Sequence, residues 1–373
     1  MKFKNAVICH DDFTFRAGGF TLNGREFGSF EEEKDGIDLG GDYVIPGLID
    51  IHFHGNSGED FSVTDLQGLT KIAGYLAKNG ITSFAPASMT MPESILKPAY
   101  ENAVRFRDLQ PTGTARILGI NMEGPYFSRA KKGAQAEEHL MLPDYGMFER
   151  LYQASDGLLK IVCIAPELPG ALAFIQKVKE QCTVSIAHTA ADYETAKESF
   201  AAGATQVTHL FNSMTPFLHR EPGVVGAAAE SKQVLAELIC DGVHVHESVI
   251  RATFAMFSAE RIILISDSLS CLGMPEGVYE SGGQKIYMRK GAAMLEDGTF
   301  AGSTVNLFQC MKKAISFGIR PEDAIRAASI NPARALRADK HTGSITCGKS
   351  ADFVICDRDF NVKKCYIGGM PVL

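Results

Sequence analysis

Six side chains in this sequence could hold a metal ion, and each lies at or near the end of an apolar run. His52 and His54 follow YVIPGLIDI, Glu123 ends RILGINME, His188 ends TVSIAH, His209 lies in TQVTHLF and Asp267 ends RIILISD. Imidazole and carboxylate together suit Zn2+, Fe2+, Mn2+ or Co2+, and donor type alone does not choose among these divalent ions. His52 and His54 are two apart, so on a strand both rings face one side. No cysteine belongs to the set, and a centre of this kind with open positions is catalytic rather than structural. A bound ion lowers the pKa of its water towards ~7. Asp267 is then suited to take that water's proton as general base and to pass it on to a leaving nitrogen.

Such a cluster needs a frame that brings distant residues together. Eight apolar runs are predicted strands, at 43–52, 81–88, 116–123, 160–167, 183–188, 205–211, 235–241 and 261–267. Helical spacing fills several of the gaps: one helix starts at Asp65 and stops at Gly80, another runs from Asp192 to Gly203, and a third covers 246–260. Near-continuous apolar strands alternating with helices mean a parallel sheet covered by helices. Eight such units predict an α/β fold, a (β/α)8 TIM-like barrel, in which the C-terminal strand ends surround one site. All six donors fall at those ends. Residues 272–300 interrupt the alternation with turns and short strands, and 303–318 and 321–336 read as helices. Residues 1–43 and the last 34 read as short strands and hairpins, neither with enough apolar surface for a core alone. The expected division is a small β-sandwich domain made by both chain ends (1–45 with 338–373) and a barrel over 46–337.

The chain has 373 residues, with Lys+Arg 37 against Asp+Glu 44 and a formal net charge of −7. That balance argues against general nucleic-acid binding. No apolar run reaches the ~18 residues of a membrane helix, and Cys9-His10-Asp11-Asp12 interrupts what a signal peptide would need. The nine cysteines are scattered, odd in number and without a C-x-x-C pair, which fits reduced thiols in a cytoplasmic protein.

The motifs also carry a resemblance. VIPGLIDIHFHG and the C-terminal GSITCGKSADFVICD resemble the amidohydrolase superfamily. More narrowly, NMEGPYFSRAKKGAQ, AHTAADY, THLFNSM followed by HREPG, DGVHV and ISDSLS resemble, in order along nearly the whole chain, the N-acetylglucosamine-6-phosphate deacetylase family. The resemblance implies hydrolysis of the acetamide of an N-acetylhexosamine 6-phosphate, a small-molecule substrate, to the amino-sugar phosphate and acetate. It implies Glu123, His188 and His209 as metal ligands, Asp267 as the catalytic acid/base, and His52 and His54 as ligands of a second ion, so one or two ions in all. Glu123 would bridge the two ions, and Asp267 is able to touch the first. It also implies Arg220 and His244 as the phosphate pair and Asn212 and Ser213 as sugar-phosphate contacts. In the family the phosphate pair is supplied across a subunit interface, which implies a homodimer.

One position departs from the family. Many members carry His after KKGA, and here it is Gln135. An amide donates a hydrogen bond to an oxyanion but carries no proton charge, so Gln135 reads as a neutral replacement near the substrate carbonyl. This keeps N-acetylgalactosamine 6-phosphate open beside the gluco epimer, with another amidohydrolase, a metal-free sugar-phosphate binder and a non-enzymatic barrel as the remaining readings.

Overall fold

The structure is a computed structural model that describes residues 1–31 and 35–372; residues 32–34 and 373, which the expected terminal unit includes, lie outside the described residues. Eight segments build a ring of parallel strands: Leu48–Asp50, Ile81–Phe84 with Ala87–Ser88, Arg116–Ile117 with Ile120–Met122, Leu159–Ile164, Thr183–Ile186, Gln206–Val207, Leu235–Ile239 and Ile262–Ile265. Each pairs in parallel with the next. The ring closes between the eighth and first through Asp267 N–H donating to His52 O at 2.8 Å and His54 N–H donating to Ser268 O at 2.7 Å. Ile49, Ala85, Ile161, Ala187, Ile239 and Ile263 come from strands all round the ring yet form one buried cluster. Side chains from non-neighbouring strands meet only inside, so this is the packed interior expected of such a barrel.

Helices lie outside the ring, and two of them begin at the expected caps. Leu66–Lys78 is capped by the Asp65 carboxylate, which accepts from Gly68 N–H, and Tyr193–Ala202 by Asp192, which accepts from Thr195 N–H. Leu307–Ser316 opens with a reciprocal Asn306/Gln309 capping box, so orphan amide donors at each start are satisfied.

The expected strands are too long, for identifiable reasons. The run at 43–52 is divided between two sheets: Tyr43–Pro46 pairs with the chain termini and Leu48–Asp50 with the barrel. Gly47 is the crossing point, because a Cβ there would meet Thr82 Oγ1 at 2.2 Å. Similarly, a Cβ on Gly119 would meet the Lys160 side chain at 2.6 Å, and the third strand breaks beside it. The helix expected over 321–336 is two, Pro321–Ala328 and Ile330–Ala335, parted at Ser329. Pro332 has no N–H to give to the Ala328 carbonyl, so the ladder cannot run through.

Strands from both ends form one eight-stranded sheet, in which Lys2–Cys9 pairs with Phe15–Asn23 and Tyr43–Pro46, and Phe353–Cys356 pairs with Val362–Ile367. Phe3, Phe20, Phe27, Phe353 and Tyr366 pack against one another across it. Where short strands are expected at 272–300, after the eighth barrel strand, the chain forms a four-stranded antiparallel sheet that spans 277–302.

Candidate active site

Six donors from five barrel strands converge at the C-terminal end of the ring. His52 and His54 lie just past the first strand, which ends at Asp50, so they stand on extended chain rather than within the ladder. Glu123 follows the third strand, His188 the fifth, His209 the sixth and Asp267 the eighth. Three of these, His188 (φ 46°), His209 (φ 27°) and Asp267 (φ 50°), hold left-handed backbone, which turns the chain as it leaves the strand. Such conformations cost about 1–3 kcal/mol each outside glycine and gather at functional sites.

The donors form two groups that share a border, His52 with His54 and Asp267, and Glu123 with His188 and His209. Glu123 Oε1 lies 3.2 Å from His188 Nε2, 3.1 Å from His209 Nε2 and 3.4 Å from His52 Nε2, while its Oε2 lies 3.4 Å from His54 Nε2. Asp267 Oδ1 is 3.3 Å from His54 Nε2 and 3.7 Å from His52 Nε2. One carboxylate therefore stands between the two groups, as a bridging ligand does.

The outward ring nitrogens show that this donor set fits a cation. His54 Nδ1 lies 3.1 Å from Ala87 O and His188 Nδ1 lies 2.9 Å from Lys131 O. A carbonyl only accepts, so both Nδ1 atoms carry the hydrogen, and in the neutral ring each Nε2 turns a lone pair inward. His52 Nδ1 faces the Glu237 carboxylate at 2.8 Å, and His52 Nε2 is buried with no hydrogen-bond partner among the described residues. His188 Nε2 and His209 Nε2 face each other at 3.1 Å. A buried, inward-pointing crowd of nitrogen lone pairs and carboxylate oxygens is what a divalent ion satisfies.

Burial disfavours charge on His52, but the Glu237 and Glu123 carboxylates outweigh it and hold its pKa well above the usual range. His54 is also raised, because burial is outweighed by Asp267 and Glu123. Burial would raise Glu123 and Asp267, yet the surrounding histidines hold both below the usual carboxylate range, Glu123 strongly. Both carboxylates are therefore ionised at neutral pH and free to accept.

A cavity of about 210 Å³ opens over this cluster, with His54, Glu123, Gln135, His188, His209 and Asp267 in its wall. Asn212, Ser213 and His244 also line it, and so does the edge of the four-stranded unit at 299–302. His244 is held by Asp241, whose Oδ2 lies 2.6 Å from its Nδ1. Burial works against charge on both, but their mutual attraction raises His244 and lowers Asp241. Gln135 differs from expectation in one respect: its amide is engaged, with Nε2 donating to Glu123 Oε2 at 2.7 Å and Oε1 accepting from Thr90 N–H at 2.8 Å. Arg220 is not in the cavity wall; it is exposed, beside His219, on a loop that also exposes Phe217 and Leu218.

Sequence reasoning missed Glu237 and Asp241. Glu237 is signalled only by a lone charge inside the apolar run LAELIC, and Asp241 only by lying three residues before His244.

Residues 43–372 match the amidohydrolase family. The chain is 36% identical to the N-acetylglucosamine-6-phosphate deacetylase of Bacillus subtilis, over 86% of this chain and 82% of that one. It is 35% identical to the N-acetylgalactosamine-6-phosphate deacetylase of Escherichia coli O157:H7, over 87% and 86%. Its structure superposes with TM-score 0.93 and 30% identity on a mutant N-acetyl-D-glucosamine-6-phosphate deacetylase from Mycobacterium smegmatis in complex with N-acetyl-D-glucosamine-6-phosphate, covering 100% of this chain and 99% of that one. The Thermotoga maritima N-acetylglucosamine-6-phosphate deacetylase gives TM-score 0.91 at 27% identity, covering 100% and 99%. With six donors gathered at the mouth of a parallel-strand ring and a match over most of its length, the chain belongs to the amidohydrolase family.

Proposed function

We propose that this chain is a metal-dependent hydrolase that removes the acetyl group from N-acetylglucosamine 6-phosphate, giving glucosamine 6-phosphate and acetate in amino-sugar breakdown. The observation that carries the reading is the pair of donor groups joined by Glu123 at the floor of a cavity whose wall includes His244, paired with Asp241. A divalent cation held there makes water a stronger nucleophile and polarises the acetamide carbonyl; Zn2+ or Fe2+ suits the nitrogen-rich set best, with one or two ions bound. Asp267, ionised and at the cavity wall, accepts the proton of the attacking water and returns it to the amine as the C–N bond breaks. Gln135 holds Glu123 through its amide while presenting its edge to the acetyl group. Asn212, Ser213 and His244 orient the sugar phosphate, which fixes the acetamide over the donors.

Arg220, exposed and outside its own cavity, completes the phosphate clamp of a second copy in a homodimer; its planar fork suits a phosphate. The apolar Phe217 and Leu218 beside it, half exposed, suit that interface. The two terminal segments, 1–45 with 338–373, act as one supporting unit for the barrel at 46–337. A cytoplasmic location fits the buried free thiols; among the described residues no helix is long and apolar enough to cross a membrane.

The test is acetate release from N-acetylglucosamine and N-acetylgalactosamine, each with and without 6-phosphate. Release from the phosphorylated gluco sugar in preference to its free form supports the reading; release from neither phosphorylated sugar removes it. The second reading, preference for the galacto epimer, rests on Gln135 in place of the usual His and is decided by the same panel.

A further inference from the structure

Beneath the donors, inside the ring, lies a carboxylate that the proposed chemistry does not use. Glu237 sits mid-strand in Leu235–Ile239 and is fully buried. Being two residues before Ile239, which packs in the interior cluster, it points the same way, into the barrel. An ionised carboxylate there is costly unless paired and fully hydrogen-bonded. Among the described residues no lysine or arginine pairs with it; its partners are Gln206 Nε2, which donates to Oε1 at 2.7 Å, His209 N–H, which donates to Oε2 at 3.2 Å, and the His52 ring, whose Nδ1 is 2.8 Å from Oε2. The other nitrogen of that ring, Nε2, is buried between Glu123 and Asp267 and has no hydrogen-bond partner among the described residues.

We propose that Glu237 is a positioning residue that fixes His52 with its hydrogen on Nδ1 and its Nε2 lone pair inward, and so makes the His52–His54–Asp267 group a true ion site. Its negative charge sits directly behind the ligand, where it strengthens the imidazole's donation to a cation. Through the His209 amide the same carboxylate touches the second donor group, but there it holds backbone, not a ligand ring. Loss of its charge therefore acts unequally on the two ions. This rests on the metal-dependent reading above and adds a residue that decides how many ions are held.

The experiment is a competition titration of metal-stripped protein with Zn2+ against a chelator, with bound ions counted per chain. Wild type is expected to hold two ions. Glu237→Gln, which keeps size and one accepting oxygen but removes charge, is expected to weaken one by about 10–100-fold, as loss of an outer partner typically does, and to leave the other. Wild type holding a single ion, unchanged affinities in Glu237→Gln, or equal weakening of both ions each overturns it. Should Glu237→Gln fail to fold, wild type loaded with NMR-active cadmium decides: coupling through His52 Nε2 with Nδ1 protonated is expected, and coupling through Nδ1, or none, overturns it. Metal is read without substrate, so protein that binds two ions but releases no acetate removes the deacetylase reading alone.

Discussion

Asp267 leaves the eighth strand at φ 50°, and its carboxylate stands 3.3 Å from His54 Nε2 at the edge of the cavity. Replacing it with Asn keeps the shape and removes the proton acceptor. Asp267→Asn is expected to retain at least the ion at Glu123, His188 and His209 while turnover falls on the order of 10²–10⁴-fold; metal analysis beside acetate release checks it, and near-normal turnover would refute the role. His244 makes a second case. Asp241 raises its pKa, so His244 is cationic below that raised value and neutral above it. KM for a phosphorylated substrate should therefore rise as pH climbs through the His244 titration. Asp241→Asn removes the support and should move that rise to lower pH; a KM profile identical to wild type would exclude His244 from phosphate binding. At this scale the sequence was informative where residue type and position at a strand end were enough. His52, His54, Glu123, His188, His209 and Asp267 could all be read that way. Glu237 could not, because a charge within an apolar run does not reveal which ring nitrogen it will face.

Elements carry these side chains to their places through contacts that are local on one side and distant on the other. The four-stranded unit at 277–302 reaches the site by its last strand, Phe300–Gly302. It is tied at the other end by buried Asp60, which accepts from Ser281 Oγ at 2.6 Å and Gly282 N–H at 2.9 Å, as well as from Ser62 N–H. Removing that carboxylate leaves buried donors unpaired, at a cost of about 1–3 kcal/mol each. Asp60→Ala is expected to speed hydrogen exchange across 277–302 and to raise KM more than it lowers kcat; unchanged exchange would show that the tie is not needed. At its site end the unit needs glycine: a Cβ on Gly302 would meet Asp267 O at 2.8 Å, and its φ of 150° is poorly suited to other residues. Helix starts at Asp65 and Asp192 were legible because both cap by local rules, whereas the helix expected over 303–318 starts only after Asn306. Strand ends were not, because the run at 43–52 changes partners from the terminal sheet to the barrel, and those partners are near only in the folded chain.

The whole molecule joins its ends in one sheet and leaves a loop with Phe217, Leu218 and Arg220 facing outward. Alternation of strands and helices was enough to anticipate the barrel, and the apolar poverty of each terminus its partnership with the other. An interface between copies leaves no periodic trace in a single chain. If Arg220 serves the neighbouring site, Arg220→Ala and Asp267→Asn should complement. A mixed dimer has one site with Asp267 intact and Arg220 donated by its partner, so an equal, randomly reassorted mixture should recover about a quarter of wild-type activity. Activity no greater than that of the separate variants would place Arg220 at its own site or at none. The most direct test of the metal-centred account is acetate release from N-acetylglucosamine 6-phosphate by metal-stripped protein as Zn2+ or Fe2+ is returned. Activity should be absent after stripping and grow in step with bound ion, and His188→Gln with His209→Gln should abolish both; undiminished acetate release by protein free of metal would contradict it.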